Sequence, residues 1–182
     1  MADQKREIFL EHHGVKGQKW GVRRYQNPDG TLTALGKAMK REQGQEKKYL
    51  SAQRDFAKRW RGTGRDRDSA DVIDAKLEKV DQDRYYEMVK KALASDKEYQ
   101  KAHKEYDDWH EANRANWSNP NWKRMTKDEF HAYELEGGYF DFKFNNAVLK
   151  AAMNKFVKKL PEDERLYGEA YVFEYLGMDI VF

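Results

Sequence analysis

The chain has 182 residues, a net charge of +3, 39% apolar and 37% charged side chains, and no cysteine. That length accommodates one ordinary domain, or a small module joined to a larger one. The missing cysteine excludes disulfides, thiolate zinc sites and cysteine nucleophiles. An aromatic fraction of 14% argues against disorder throughout, because Trp, Tyr and Phe bury large areas and disordered chains are poor in them. No apolar run approaches the roughly 20 residues that span a bilayer. Residues 1–13 lack the apolar centre of a signal peptide. A soluble protein with no membrane partner is expected.

Charge is unevenly placed. Residues 1–62 hold 15 Lys and Arg against 7 Asp and Glu, a net +8, and residues 63–182 hold 20 against 25, a net −5. The expected organisation follows that split: a basic hairpin-plus-helix module over 1–62 and an acidic, aromatic-rich helical domain over 63–182. Such a separation suits contact between the N-terminal third and an anionic partner, although solvated helix faces produce the same bias.

In chain order, residues 1–11 are a mixed lead-in. Between Lys19 and Thr33, two short strands are predicted, joined by the turn Asn27-Pro28-Asp29-Gly30. Proline presets the φ of such a turn, and glycine accepts a positive one. A hairpin of that size is marginal alone and must lean on something. Thr33 is a suitable N-cap for a helix from Ala34 that carries Tyr49, Leu50, Phe56 and Trp60, with Gly44 its weak point. Residues 61–68 have two glycines, alternating charge and no apolar side chain, the pattern of a linker. Val72, Ile73, Leu77, Val80 and Val89 then recur at helical spacing.

Ser95 with Glu98 matches a capping box that opens a further helix, striped by Tyr99, Ala102, Tyr106 and Trp109. Thr126 with Glu129 is a second box, and Gly137-Gly138 is expected to stop the short helix it starts. Phe140, Phe142 and Phe144 alternate with Asp141 and Lys143, which is strand periodicity, although an aromatic first turn of the next helix also fits. Asn145 or Asn146 then caps a helix bearing Leu149, Met153, Phe156 and Leu160. Pro161, followed by three acids, opens the last helix, and the apolar end from Met178 to Phe182 suggests docking. The fold class is therefore mostly α (α+β): a helical bundle with a small N-terminal β-hairpin and room for a short C-terminal strand pair.

Candidate site residues cluster by charge. Lys16, Lys19, Arg23 and Arg24 fall within nine residues, interleaved with Gly14, Gly17 and Gly21. Glycine lets backbone N–H groups approach a phosphate, cations neutralise it, and Trp20 or Tyr25 offers a face for a base. The competing reading makes the glycines turns and Trp20 an anchor onto the helices. Asp66, Asp68, Asp71, Asp74, Glu78, Asp81 and Asp83 form an acidic run suited to a basic protein surface. His103, Asp107 and His110 share a helix face, a spacing open to a divalent cation but equally to a surface stripe. No nucleophile elbow or phosphate-binding loop is present. Neither an enzyme nor a cofactor is expected.

The string from His12 to Lys37, HHGVKGQKWGVRRYQNPDGTLTALGK, resembles a module that recurs at the ends of diverse proteins of phages and prophages of gut Firmicutes. The whole chain further resembles a phage anti-CRISPR family that inhibits the RNA-guided nuclease of type II-A systems. That resemblance rests on the same string, the size, and the charged, aromatic helical remainder. It implies stoichiometric binding to the effector nuclease, with a contact to double-stranded DNA or guide RNA, in the cytoplasm of the infected bacterial host. It carries over no defined contact residue. Two rival readings stay open: a virion-associated structural or cargo protein that docks through the N-terminal module, and a DNA-binding phage regulator.

Overall fold

A computed structural model describes residues 22–61, 81–118 and 121–176. Its elements in order are α1 (Val22–Tyr25), α2 (Ala34–Arg61), α3 (Gln82–Ala94), α4 (Lys97–Ser118), a 3-10 turn (Asn121–Arg124), α5 (Lys127–Lys155), a second 3-10 turn (Val157–Lys159) and α6 (Arg165–Tyr175). The described residues are mostly helical and contain no named strand.

The expected hairpin is reduced to its turn. Gln26 and Leu32 form one isolated antiparallel bridge, while Val22 to Tyr25, expected as the first strand, is a helical turn. The turn itself has the anticipated chemistry. The Gly30 amide donates to the Asn27 carbonyl at 2.9 Å, and Gly30 holds a φ of 83°. Asp29 Oδ1 accepts from the Thr31 amide and hydroxyl at 2.9 and 2.7 Å. Thr33 caps α2 as its sequence position predicts, its hydroxyl accepting from the Gly36 amide at 3.0 Å.

Helix α5 is the axis of the fold, with α2 and α4 as its most extensive neighbours. Thr126 and Glu129 form the predicted capping box: the Glu129 amide donates to Thr126 Oγ1, and the Thr126 amide to Glu129 Oε2 at 2.7 Å. Three expectations fail along this helix, and one cause explains them. Gly137-Gly138 does not stop it, Tyr139 to Phe144 is not a strand, and neither Asn145 nor Asn146 is a cap; all lie inside α5. A helix flanked on two sides must present contact residues in two directions. A Cβ on Gly137 would come within 2.9 Å of Trp109 on α4, and one on Gly138 within 3.3 Å of Glu42 on α2. The two glycines are therefore points of close approach, one to each neighbour. The alternating aromatics divide the same way. Phe144 stacks on Tyr106 of α4, whereas Phe142 meets Tyr49 of α2, at centroid distances of 4.8 and 5.6 Å. Asn146 donates to the Gln45 carbonyl of α2 at 2.9 Å.

Two helix starts shift. Asp96, not Ser95, caps α4, accepting from the Glu98 and Tyr99 amides at 3.0 Å each, while Ser95 closes α3. Pro161 heads a turn, and α6 begins at Arg165. The linker at 62–68, the helical stretch 72–80 and the apolar end 178–182 lie outside the described residues, so the C-terminal strand pair has no described partner strand.

One buried cluster joins Tyr49, Phe56 and Trp60 of α2 to Tyr85 and Val89 of α3, Val148 and Phe156 of the α5 end, and Val172 and Phe173 of α6. Residues from both sides of the expected boundary at 62 thus share a core. Each fully buried large side chain contributes about 1.5–3 kcal/mol relative to exposure. A bidentate ion pair ties the same helices together: Arg59 donates to both oxygens of Glu169 at 2.6 Å, and Glu169 is buried.

Candidate nucleic-acid interface

Of the residues expected on nucleic acid, Lys16, Lys19 and Trp20 lie outside the described residues, and Arg23 lies in α1. Arg24 and Tyr25 are turned onto the start of α5. Arg24 Nε sits 2.7 Å from Asp128 Oδ1 and its guanidinium donates to the Lys127 carbonyl. The Tyr25 hydroxyl is 3.1 Å from His131 Nε2, with the rings edge to face. These contacts dock α1 and the turn onto the bundle, which is the support that so small a unit needs. Arg24 keeps 38% of its side chain exposed.

Of the acidic run, Asp66, Asp68, Asp71, Asp74 and Glu78 lie outside the described residues. Asp81 caps α3, its carboxylate accepting from the Arg84 amide at 2.9 Å, and Asp83 is exposed in the first turn. The His103, Asp107 and His110 face is occupied pairwise: His103 Nδ1 meets Asp107 at 2.7 Å, and His110 reaches across to Asp141 on α5. Among the described residues no group of three or more potential ligands is placed to hold a metal. An open depression of about 690 Å³ on this side is lined by Asp107, Asp108, His110, Glu111 and Arg114.

The dominant charged feature was absent from the sequence-derived site. On α2, the exposed positions 37, 40, 44, 47, 51, 54 and 58 follow one another at alternating steps of three and four. They carry Lys37, Lys40, Gly44, Lys47, Ser51, Arg54 and Lys58, with Lys48 alongside. None of these six cations makes an ion pair among the described residues. Other basic groups of the helix are engaged: Arg41 lies 4.2 Å over the Tyr139 ring, and Arg59 holds Glu169. Asp55 is the one exposed carboxylate of α2. Its other two acids, Glu42 and Glu46, are half-buried on the flank, and desolvation holds the Glu42 carboxyl above its ordinary range, with Glu46 adding repulsion. Beside Lys48 a groove of about 460 Å³ opens between α2, α4 and α5, with Lys101, Lys143 and Lys150 on its walls. Lys143 and Lys150 are paired with Glu105 and Glu98.

The signal that locates this face was present in the sequence. Cations at steps of three and four over residues 37–58 lie on one side of any α-helix, while Leu35, Tyr49, Phe56 and Trp60 take the other.

A family model described as a family of unknown function (DUF7211) matches residues 4–27. The matched stretch ends at Asn27, before α2. No curated protein and no solved structure matches the chain.

Proposed function

We propose that the protein is a phage-encoded inhibitor of a type II-A RNA-guided nuclease, acting by stoichiometric binding and not by turnover. The reading is supported by the resemblance of the His12–Lys37 string and of the whole chain to that class. The observation that carries it in the fold is the cationic face of α2, whose six cations make no ion pair among the described residues. An RNA-loaded effector presents both a basic channel and the nucleic acid held in it. A helical body with a cationic face on α2 and exposed Asp107, Asp108 and Glu111 on α4 has complementary surface for both. Charge complementarity of this kind sets encounter rate and register more than raw affinity. The inhibitor blocks target engagement or cleavage by occupying the effector.

The direct test is co-elution of the purified chain with purified RNA-loaded effector, with and without target DNA. Retention near one chain per effector in at least one of the two states is expected. Failure to co-elute in both would remove the proposal, and recovery of the chain in purified phage particles would favour the virion reading.

A further inference from the structure

We propose that the groove between α2, α4 and α5 is a binding site for a small, freely diffusing solute that carries a chain of phosphate groups. The groups that hold it are Lys48, Lys101, Lys143 and Lys150, with the side-chain amide of Gln45. The inference rests neither on the effector reading nor on the outer face of α2.

Four observations point to that ligand. First, cations far apart in the sequence converge on one concavity. Lys48 comes from α2, Lys101 from α4, and Lys143 and Lys150 from α5. Side chains three or four residues apart share a helix face, so each helix turns one stripe toward the groove once the bundle closes. Walls of low dielectric constant then concentrate the field of the four cations on a bound anion.

Second, the groove keeps an excess of positive charge. Lys143 is paired with Glu105 and Lys150 with Glu98. Lys48 and Lys101 are exposed and make no ion pair among the described residues. Four cations against two carboxylates leave a net +2. The Lys150–Glu98 pair is itself exposed, at 60% and 63% of the two side chains. Exposed pairs are weak, so Lys150 can turn from Glu98 to a phosphate at small cost.

Third, the site holds an oriented hydrogen-bond donor. The Asn146 amide donates to the Gln45 carbonyl at 2.9 Å and to Gln45 Oε1 at 3.2 Å. With Oε1 engaged, Gln45 Nε2 is left as a donor, and it has no acceptor among the described residues. An amide NH2 beside lysines is a donor set that suits phosphate oxygens.

Fourth, size and lining select a compact ligand. The space of about 460 Å³ falls within the usual range for small-molecule pockets, roughly 300–1,000 Å³. The buried alanines Ala102 and Ala147 line it, and larger side chains there would fill it. None of its lining residues is aromatic, so no platform is offered on which a base could stack. Recognition is therefore of the phosphate chain, whether in an inorganic polyphosphate or at the end of a nucleoside triphosphate.

The experiment is isothermal titration calorimetry of the full-length chain with sodium tripolyphosphate, orthophosphate and ATP in metal-free buffer. Tripolyphosphate should bind near one per chain and at least about tenfold more tightly than orthophosphate, because only a chain of phosphates meets several lysines at once. ATP binding as well as tripolyphosphate would admit nucleotides as a source, and ATP binding more weakly would confine the ligand to inorganic chains; both results support the site. ATP binding at least about tenfold more tightly would overturn recognition by phosphates alone. A Lys48→Gln, Lys101→Gln variant should lose at least about tenfold in tripolyphosphate affinity. The charge-matched control Lys91→Gln, Lys159→Gln removes two exposed lysines elsewhere and should lose less than about twofold. Glu98→Gln removes the carboxylate that competes for Lys150 and should tighten binding about threefold, a gain that a damaged fold would not produce. Equal losses in the two double variants would overturn the site in favour of net charge. Weaker binding in Glu98→Gln, or no saturable heat up to about 1 mM tripolyphosphate, would overturn it as well. No effector is present in any arm, so failure here leaves the inhibitor reading to its own test.

Discussion

Arg59 and Glu169 show how much one pair holds. The carboxylate is buried, with 10% of its side chain exposed, whereas the guanidinium is 55% exposed. Removing the arginine strands a charge, while removing both loses little, because desolvation offsets most of the Coulomb gain. Arg59→Ala should cost about 2 kcal/mol, and Glu169→Gln in the same chain should recover part of it. Denaturant unfolding of the four chains of the double-mutant cycle measures this; a coupling below about 0.5 kcal/mol would refute it. The glycines of α2 make an opposed pair. A Cβ on Gly36 would collide with the Tyr25 carbonyl, which is backbone and cannot rotate away, whereas one on Gly44 meets nothing. Gly36→Ala should destabilise by about 1–3 kcal/mol, and Gly44→Ala should stabilise by up to about 1 kcal/mol. Melting curves of the two variants should move in opposite directions.

Tyr85 gives a residue-scale pH prediction. Burial, then the nearby Glu164 carboxylate, pushes its phenol from 10.0 up to about 12. The fold favours the neutral form, so this contribution is complete below pH 10 and is lost as pH rises from 10 through about 12. Tyr85→Phe should flatten the alkaline limb of a stability-against-pH curve between those values. An identical limb in the variant would exclude Tyr85 as its cause.

At the scale of elements, capping decides where helices begin. Thr126→Ala removes one half of the α5 capping box and should cost about 1 kcal/mol. It should also change the acid limb. Glu129 is held below its ordinary pKa by its backbone bond to Thr126 and then by the Thr126 hydroxyl. A depressed carboxylate stabilises the fold above its unfolded pKa and ceases to do so as pH falls through the folded one. With the hydroxyl gone, the loss of stability below about pH 4.5 should be shallower, read from urea midpoints at successive pH values.

The same caps explain what the sequence made legible. Thr33 and Thr126 are local devices whose partners lie three residues away, and both were placed correctly. The turn at Asn27 is equally local. Gly137-Gly138 and the alternating phenylalanines are not legible locally, because their spacing answers to neighbours far along the chain. A double glycine is a stop when nothing packs on it, and a seat for Trp109 and the Glu42 stem when two helices do. A period of two signals a strand beside one core, and here it distributes Phe140, Phe142 and Phe144 between α4 and α2. The α2 face is invisible to net charge for another reason: a sum over the N-terminal third does not say which side of a helix the cations take.

For the whole molecule, the shared cluster makes α2 part of the bundle. Without Tyr49, Phe56 and Trp60 the buried faces of α3, the α5 end and α6 would meet water. The chain should unfold in one thermal transition, and residues 63–182 alone should fail to give a cooperative one. A cooperative transition in that fragment would support a domain boundary at 62. The functional account places two charged surfaces on this single body and assigns neither of them chemistry.

Its central claim is inhibition by occupancy. The most direct measurement is guide-programmed cleavage of a target duplex by a fixed amount of RNA-loaded type II-A effector, titrated with the purified chain. Cleavage should fall linearly with added chain and reach background near one equivalent per effector. Undiminished cleavage at a large molar excess, or complete inhibition at a small fraction of an equivalent, would contradict it.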